Sequence, residues 1–265
     1  MSAGAGTVTV EVANGAARIV LDRPETLNSW NEDLGRELGA AVEAAGSDDD
    51  VRAVLITGAG RAFSSGADLR EQRGGVEGGP PDLSLRLREL YNPIILGVRE
   101  MPKPVIAAVN GPAAGIGCSL ALACDLIVAA ESAFVLLAFV NLGLVPDGGV
   151  TAVLPARAGA ARAAEMAMLG ERIPAERALE WGLVNRVVAD DDLDREAGEL
   201  LARLAAGPTR AYANIKRLLN RTLYAGLGSQ LDAEAEAQRQ QGQTADFIEG
   251  VLAFAEKRPP RFTGR

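Results

Sequence analysis

The stretch VIAAVNGPAAGIG, residues 105–117, decides the fold. Its first five residues are all apolar, which is typical of a short strand buried on both faces of a sheet. Glycine and proline at 111–112 end that strand, and small residues then lead into the apolar run 118–122, which predicts a helix packed closely on the strand. The first N–H groups of such a helix have no partner within it, so a ligand oxygen can bind there. The alternative is that the glycines serve only close packing.

A second turn of small residues, AFSSGADL at 62–69, follows another apolar strand, VRAVLIT at 51–57. Gly66 permits a turn that points the N–H of Ala67 into a cavity. If the two strands are neighbours, the N–H groups of Ala67 and Ile116 converge on one oxygen. Such a pair of dipoles stabilises negative charge on that oxygen, which suits a thioester carbonyl that becomes an enolate.

Composition excludes several classes of protein. The 265 residues are 48% hydrophobic and 23% charged, which predicts a globular protein with a full core. A net charge of −8 argues against a nucleic-acid or membrane partner, and no apolar run is long enough to span a bilayer. The N-terminus lacks the pattern of a secretory signal, and the two cysteines lie in apolar surroundings; both features favour a cytoplasmic protein.

The sequence contains no histidine. Serine and cysteine nucleophiles that depend on a histidine base are therefore excluded, and Ser64 and Ser65 have no obvious base. Most zinc sites are excluded too, because two cysteines cannot supply a thiolate cage, and we predict no metal site. An enzyme of this composition must use carboxylates, backbone N–H groups or a bound cofactor.

Strands alternate with helices over the first two-thirds of the chain, which predicts an α/β fold followed by a helical part. Asn14 and Gly15 predict a hairpin, and Ser29 with Glu32 resembles a capping box before a helix. Residues 70–84 are rich in glycine, proline and charge, which predicts a mobile loop over a site. An exposed stripe on the helical part would suit oligomerisation. The candidate stripes are Leu193, Leu200 and Leu204; Tyr212, Ile215, Leu219 and Leu223; and Phe247, Val251 and Phe254.

Taken together, these motifs resemble the enoyl-CoA hydratase/isomerase (crotonase) superfamily over nearly the whole chain. The matching segments are LDRP (21–24) with LN (27–28), AFSSGADL (62–69), PKPVIAAVNGPAAGIGCSLALACDLIVA (102–129), LGLVPDGG (142–149) and WGLVNRVV (181–188). The resemblance implies an α/β, crotonase-like spiral of ββα units over residues 1–200. It implies a C-terminal helical region at 201–265 that covers the acyl-CoA site and assembles a homo-trimer or hexamer. The implied substrate is an acyl-CoA thioester, with coenzyme A present as part of the substrate and no permanently bound cofactor.

The resemblance assigns the catalytic positions residue by residue. In the family, the N–H groups at the positions of Ala67 and Ile116 form the oxyanion hole. The second position is usually glycine; Ile116 keeps the N–H but its side chain narrows the pocket. Family hydratases carry two glutamates, and the motifs align these with Ser119 and Phe139, neither of which is acidic. The acid that remains in the motif is Asp147.

Isomerases of the dienoyl-CoA type use an acid at the position of Asp147, as does the ring-opening isomerase type of phenylacetate degradation, which the chain resembles most. One carboxylate suffices for a double-bond shift, because it removes a proton near the thioester carbonyl and returns it further along the acyl chain. Apolar neighbours such as Phe139 would raise the pKa of this acid. The alternative is that Asp147 caps the helix that follows it.

The resemblance also implies contacts with coenzyme A. Arg23 and Leu27 match positions at the nucleotide end. Positions matching the acyl and pantetheine path are Ala62, Ala67, Asp68 and Leu69, although Asp68 also suits a helix cap. Lys257 matches a lysine that meets phosphate, and a solvated tail cation is the alternative.

Three functions therefore stay open. The leading hypothesis is an enoyl-CoA isomerase that uses Asp147 as acid and base. The second is an enoyl-CoA hydratase acting on 2-enoyl-CoA by an unusual route. The third is a protein that binds CoA thioesters without chemistry. The absence of both glutamates favours the third, whereas an acid retained in an intact motif favours the first.

Overall fold

The computed structural model describes residues 6–69 and 81–265. Within these ranges the strands are β1 (Val8–Ala13), β2 (Ala16–Leu21), β3 (Ala53–Gly58), β4 (Val105–Val109), β5 (Pro112–Ala114), β6 (Leu126–Ala130), β7 (Phe134–Leu136), β8 (Ile173–Pro174) and β9 (Arg186–Val188). Six of them form one sheet in the order β1-β2-β3-β4-β6-β9, and β5-β7-β8 form a smaller one. β1 and β2 are antiparallel across Asn14 and Gly15, whose positive φ angles confirm the predicted hairpin.

Helices surround the larger sheet. They are α1 (Glu32–Ser47), α2 (Leu83–Arg86), α3 (Asn92–Glu100), α4 (Ile116–Ala123), α5 (Val150–Ala158), α6 (Ala160–Leu169), α7 (Ala175–Glu180), α8 (Leu193–Ala205), α9 (Thr209–Leu223), α10 (Leu227–Gln241) and α11 (Ala245–Glu256). A π-helical turn, Leu87–Tyr91, joins α2 to α3. α1 packs on β1, β2 and α3, and α8 packs on β3, β4 and β6. Every residue of β3 and β4 is consequently buried, as their unbroken apolar sequences predict.

β3 and β4 are parallel neighbours, with Val54 opposite Val105. Their carboxyl ends meet at one edge of the sheet, so the two small-residue turns leave it side by side. The turns are joined by two backbone hydrogen bonds: Ser64 N donates to Pro112 O at 3.0 Å, and Ala114 N donates to Ser64 O at 2.8 Å. The neighbouring strands that the oxyanion argument requires are therefore present.

Two local expectations need correction. Residues 112–114 form a further strand, because proline is tolerated as the first residue of a strand, where its missing N–H is not needed. The cap of α1 is Asn31, whose Oδ1 accepts from Leu34 N at 2.9 Å. Ser29 does not cap this helix, because its hydroxyl donates to Asp68 Oδ2 at 3.1 Å.

Several predictions concern the chain outside the sheet. Of the predicted loop at 70–84, residues 70–80 lie outside the described residues, and α2 begins at its last two positions. The predicted domain boundary at residue 200 falls inside α8. Ile215, Leu219 and Leu223 on α9 are about half exposed, as the oligomerisation argument requires. No helix among the described residues is long and apolar enough to cross a membrane.

Candidate active site

A cavity of about 680 Å³ lies beside the two small-residue turns. Its wall is mostly apolar, and the groups that concern the chemistry are Ala67, Asp68, Ile116, Phe139, Asp147 and Gln238. The cavity therefore gathers both predicted oxyanion donors and the predicted acid from three separate parts of the chain. A mostly apolar pocket with few polar groups is the usual form of a small-molecule site.

Ala67 presents a backbone N–H that the fold does not use. It pairs with Trp30 in a short parallel bridge, in which Trp30 N donates to Gly66 O and Asp68 N donates to Trp30 O, at 2.8 and 2.9 Å. These hydrogen bonds use the carbonyl of the residue before Ala67 and the N–H of the residue after it. The N–H of Ala67 itself has no partner among the described residues. A half-buried, unpaired N–H at a cavity wall is available to a ligand oxygen.

Ile116 presents the second N–H. It is the first residue of α4, so its N–H has no carbonyl partner inside the helix. Neighbouring donors are used, since Gly115 N donates to Leu136 O at 3.0 Å and Ser119 N donates to Gly115 O at 3.1 Å. Across residues 6–69 and 81–265, nothing accepts a hydrogen bond from Ile116 N.

Gly66 and Gly115 let the two turns approach each other. Their φ angles are +94° and +52°, in the region that favours glycine. A Cβ on Gly66 would lie 2.9 Å from Ala114 O, and a Cβ on Gly115 would lie 3.7 Å from Gly66 Cα. Any larger residue at Gly66 would force the turns apart, so glycine at this position is dictated by the close approach of the two turns.

The side chain of Ile116 packs toward Asp147 through Gly148. A Cβ on Gly148 would lie only 2.6 Å from Ile116 Cδ1, and the φ of Gly148 is +69°. Because Gly148 has no side chain, the side chain of Ile116 fits beside it. This contact supports the expectation that Ile116 narrows the pocket next to the acid.

Asp147 is 5% exposed and lines the cavity. Gln238 Nε2 donates to Asp147 Oδ2 at 2.9 Å, whereas Oδ1 has no hydrogen-bond partner in the described part of the chain. Ser119 Oγ donates to the Asp147 backbone carbonyl at 2.7 Å. The backbone and one carboxylate oxygen are thus held, and the other oxygen is left without a partner.

Burial, the larger cause, and the negative charge of Glu234 raise the pKa of Asp147, and the hydrogen bond from Gln238 opposes them. The pKa that results is about 8, against an ordinary value near 4. A carboxyl group with a pKa near neutrality exists in both protonation states at physiological pH. It can therefore serve as base and as acid in one reaction.

Asp147 does not cap α5, contrary to the alternative considered from the sequence. The residue before α5 is Gly149, and Glu234 of α10 supplies the capping carboxylate. Glu234 Oε2 accepts from Gly149 N at 2.7 Å, and its Oε1 accepts from Thr151 N at 3.0 Å. Because Glu234 occupies the helix N-terminus, the carboxylate of Asp147 is available to the cavity.

The two positions aligned with the hydratase glutamates have other uses. Ser119 is buried, and its hydroxyl is spent on the Asp147 carbonyl. Phe139 forms part of the cavity wall, and a Cβ on Gly115 would lie 3.9 Å from its Cζ. Neither side chain can transfer a proton to or from a water molecule at neutral pH. Of the three positions that the family motifs compare, Asp147 is the one that carries an acid, and it lines the cavity.

The predicted coenzyme A contacts divide into two groups. Asp68 and Leu69 line the cavity, and Arg23 lies behind them, with its guanidinium 3.3 Å from Asp68 Oδ2. Outside the cavity wall are Leu27, Ala62 and Lys257. Asp68 lies at the edge of the described residues, so its alternative role as a cap for the next segment falls outside them.

Local contacts and exposure describe the three residues outside the cavity wall, Leu27, Ala62 and Lys257. The carbonyl of Leu27 accepts from Ser65 N at 2.9 Å. Ala62 is fully buried, and its carbonyl accepts from Asn28 Nδ2 at 2.7 Å. Lys257 ends α11 in the left-handed conformation with its side chain exposed, whereas the next residue, Arg258, lines the cavity. Their roles toward coenzyme A stay predictions.

Sequence reasoning missed Glu234 and Gln238. The signal was present, because both lie on the buried stripe of α10 with Leu227, Leu231 and Ala235. Polar residues at core positions of a helix need a polar partner. In the described ranges, no cluster of three or more acidic, cysteine or histidine residues is arranged to hold a metal ion.

Comparison with known proteins gives a consistent result. A family model described as enoyl-CoA hydratase/isomerase matches residues 11–265. The 1,2-epoxyphenylacetyl-CoA isomerase of Escherichia coli (strain K12) is 44% identical over 254 residues, which are 96% of this chain and 97% of that protein. A probable enoyl-CoA hydratase of Rhodobacter capsulatus is 46% identical over 259 residues, which are 98% of each.

Solved structures agree with the sequence comparison. The crystal structure of an enoyl-CoA hydratase from Mycobacterium avium subsp. paratuberculosis K-10 matches with a TM-score of 0.88 and 39% identity. The match covers 97% of this chain and 99% of that one. The predicted α/β, crotonase-like fold class is therefore confirmed.

Proposed function

Since the chain belongs to the enoyl-CoA hydratase/isomerase family, we propose that it shifts a carbon–carbon double bond within an enoyl-CoA thioester. The observation that carries this proposal is that Ala67, Ile116 and Asp147 line one cavity. Among the described residues, the N–H groups of Ala67 and Ile116 and the buried Oδ1 atom of Asp147 have no hydrogen-bond partner. Two donors and one acid are what an enolate mechanism needs, and nothing further is required for proton transfer.

The proposed steps balance without any further reactant. Ionised Asp147 removes a proton from C2 of a 3-enoyl thioester, and the C–H electron pair forms a C1–C2 double bond while the carbonyl oxygen becomes negative. The N–H groups of Ala67 and Ile116 bind this oxygen, which is the role of an oxyanion hole. Protonated Asp147 then returns the proton to C4. The C1–O double bond re-forms and the C1–C2 double bond moves to C2–C3, while the C3–C4 electron pair binds the proton at C4. The product is the conjugated 2-enoyl thioester.

The likeness to 1,2-epoxyphenylacetyl-CoA isomerase supports isomerisation and a ring-derived acyl group, as in phenylacetate degradation. The mostly apolar wall, with Phe139, Leu87 and Tyr91, supports an apolar acyl group. Coenzyme A enters as part of the substrate in this proposal. The predicted contacts with coenzyme A stay those named from the sequence, with the nucleotide end at Arg23 and Leu27 and phosphate at Lys257. The acyl and pantetheine path is predicted along Ala62, Ala67, Asp68 and Leu69, of which the last three line the cavity.

A homo-trimer or hexamer is part of the same proposal, as is a cytoplasmic location. The half-exposed apolar side chains of α9 support assembly, because a surface of this kind is typical of a subunit contact. Light scattering after size exclusion would measure the mass directly. A mass equal to one chain of 27.6 kDa would overturn the assembly proposal.

Hydration is the competing activity, and the name of the Rhodobacter capsulatus relative favours it. The test offers purified protein a 3-enoyl-CoA and, separately, a 2-enoyl-CoA, and follows the absorbance of the conjugated thioester together with product mass. Isomerisation raises the absorbance from the first substrate without a change in mass. Hydration instead lowers the absorbance of the second and adds the mass of one water. Absence of both reactions, with CoA thioester bound, would identify a non-catalytic binding protein.

We expect kcat/KM for isomerisation to rise with pH and level off above an apparent pKa near 8. The reason is that Asp147 must be ionised to remove the first proton, and its pKa in the free protein is raised to about 8. Below that value, the rate should fall about tenfold for each pH unit. Initial rates between pH 6 and 9.5 measure this profile. A flat profile would mean that another group, or no titrating group, begins the reaction.

A further inference from the structure

Helix α10 holds the segment that carries Asp147 at two points, one helical turn apart. Glu234 accepts from the backbone N–H groups of Gly149 and Thr151. Gln238 donates to Val145 O at 2.7 Å and to Asp147 Oδ2 at 2.9 Å. The side chains of Glu234 and Gln238 are buried, at 4% and 2% exposure. A helix more than 80 residues away in sequence thus forms hydrogen bonds with the chain before and after the proposed acid, and with its carboxylate.

The backbone carbonyl of Val145 decides which way the Gln238 amide faces. A carbonyl oxygen only accepts hydrogen bonds, so the amide must turn its nitrogen toward Val145. The same nitrogen carries the hydrogen that Asp147 Oδ2 accepts. The amide oxygen of Gln238 therefore cannot rotate toward Asp147 when the carboxyl group gains a proton. Oδ2 meets a donor in both protonation states.

We propose that Gln238 is a positioning residue that confines proton exchange to Oδ1 of Asp147. A donor held on Oδ2 favours the proton of Asp147 on Oδ1, because the carbonyl oxygen of a carboxylic acid is the better acceptor, and Oδ1 has no partner among the described residues. One oxygen then removes the proton from the substrate and returns it, without rotation of the carboxyl group. The inference rests on the proposed isomerisation, and it concerns how that acid is aimed.

The charges around Asp147 determine how this arrangement titrates. Glu234 is the charged group that acts on it, and it raises the pKa of Asp147. Other titratable groups on the cavity wall are Asp68, Asp82, Arg86, Tyr91 and Arg258. Of these, Asp68 pairs with Arg23, and Arg258 pairs with Glu249. Gln238 and Glu234 therefore act on the same carboxyl group in opposite directions.

Gln238→Met keeps the length of the side chain and removes both hydrogen bonds. We expect the apparent pKa of kcat/KM to rise by about one pH unit, because a hydrogen bond to the ionised carboxylate is lost. Activity at pH 7 should then fall about tenfold, mostly in kcat, with KM within about twofold, and the deficit should shrink to about 1.3-fold at pH 9.5. The matched control is Gln240→Met on the exposed face of α10, which should leave the profile unchanged.

Glu234→Gln provides the opposite change. Removing its charge should lower the apparent pKa and raise activity at pH 7 severalfold, so the two variants should move the profile in opposite directions. A loss of activity by the same factor at every pH in Gln238→Met would overturn the proposal, because that result indicates only structural damage. An unchanged profile would overturn it as well.

A direct titration covers the case in which a variant does not fold. Carbon-13 NMR of wild-type protein labelled at the aspartate carboxyl carbons, with Asp147→Asn as the assignment reference, should give a carboxyl titrating near pH 8. A value near 4 would overturn the positioning argument without reference to activity. If wild-type protein isomerises no enoyl-CoA at all, the proposed function fails. The NMR titration still measures the pKa of the Asp147 carboxyl group. The two failures are therefore distinguishable.

Discussion

Asp147→Asn is expected to lower kcat for isomerisation by about 10³-fold, with KM within about threefold. Asparagine has the same shape and still accepts the hydrogen bond that Gln238 Nε2 donates to Oδ2. It cannot take or return a proton, and general acid–base groups contribute about 10²- to 10⁴-fold. Steady-state rates with a 3-enoyl-CoA, together with calorimetric binding of a saturated acyl-CoA, measure the two effects separately.

The matched control for this variant is Asp232→Asn. Asp232 is an exposed carboxylate on α10 that pairs with Arg88 at 3.2 Å on the surface. Its replacement should leave both kcat and KM within about twofold, because exposed pairs contribute little. Asp147→Asn turning over within tenfold of wild type would remove Asp147 from the mechanism.

The same substitution should also change stability in a pH-dependent way. The folded protein holds the Asp147 proton up to about pH 8, whereas the unfolded chain releases it near pH 4. Between these values the folded state binds more protons, so the wild-type protein loses stability as pH rises. Asp147→Asn lacks this loss of stability. The Tm of the variant minus the Tm of the wild type should therefore increase as the pH rises from 5 to 9. A constant difference in Tm over that range would argue against a raised pKa.

Ile116→Pro is expected to lower kcat by about 10²- to 10³-fold relative to Ile116→Ala. Both variants lose the isoleucine side chain, but only proline removes the backbone N–H. Proline is tolerated at the first position of a helix, where the N–H has no intrahelical partner, so α4 should still form. Loss of one oxyanion donor typically costs a factor of this size. Rates with one 3-enoyl-CoA for the two variants give the ratio.

Ile116→Ala by itself isolates the side chain. It removes the contact of Cδ1 beside Gly148 and widens the pocket next to Asp147, so KM and acyl preference should change more than kcat. Circular dichroism confirms that both variants are folded before rates are compared. Equal kcat in Ile116→Pro and Ile116→Ala would show that this N–H stabilises no charge in the reaction.

The local features of the fold were well predicted from the sequence. The hairpin at Asn14 and Gly15, the buried strands β3 and β4 and the start of α4 near Ile116 all depend on near neighbours along the chain. Capping was harder, because Ser29 and Asn31 both suit a cap. In the structure the hydroxyl of Ser29 donates to the carboxylate of Asp68, and Asn31 caps the helix.

The candidate site divides in the same way. Ala67 and Ile116 lie in short turns whose glycines indicate their local geometry, and Asp147 was proposed from the family resemblance, so all three were named before any coordinates. The role of Asp147 was ambiguous, because a residue just before a helix suits a cap as well as a catalytic acid. The structure excludes the cap, because Glu234 takes the N-terminus of α5 from a position 85 residues away from Gly149. The catalytic role stays a prediction.

The amino-acid sequence by itself determined the fold class and the two turns, because backbone conformation depends on residue types close together in the chain, whereas Asp147 was proposed as the acid from the family resemblance. Tertiary structure alone decided that Ala67, Ile116 and Asp147 line one cavity, and that Gln238 and Glu234 of α10 contact the segment that carries Asp147. Those relations depend on packing between distant segments. Buried polar groups must find partners wherever the fold supplies them, and linear spacing does not specify which partner that is.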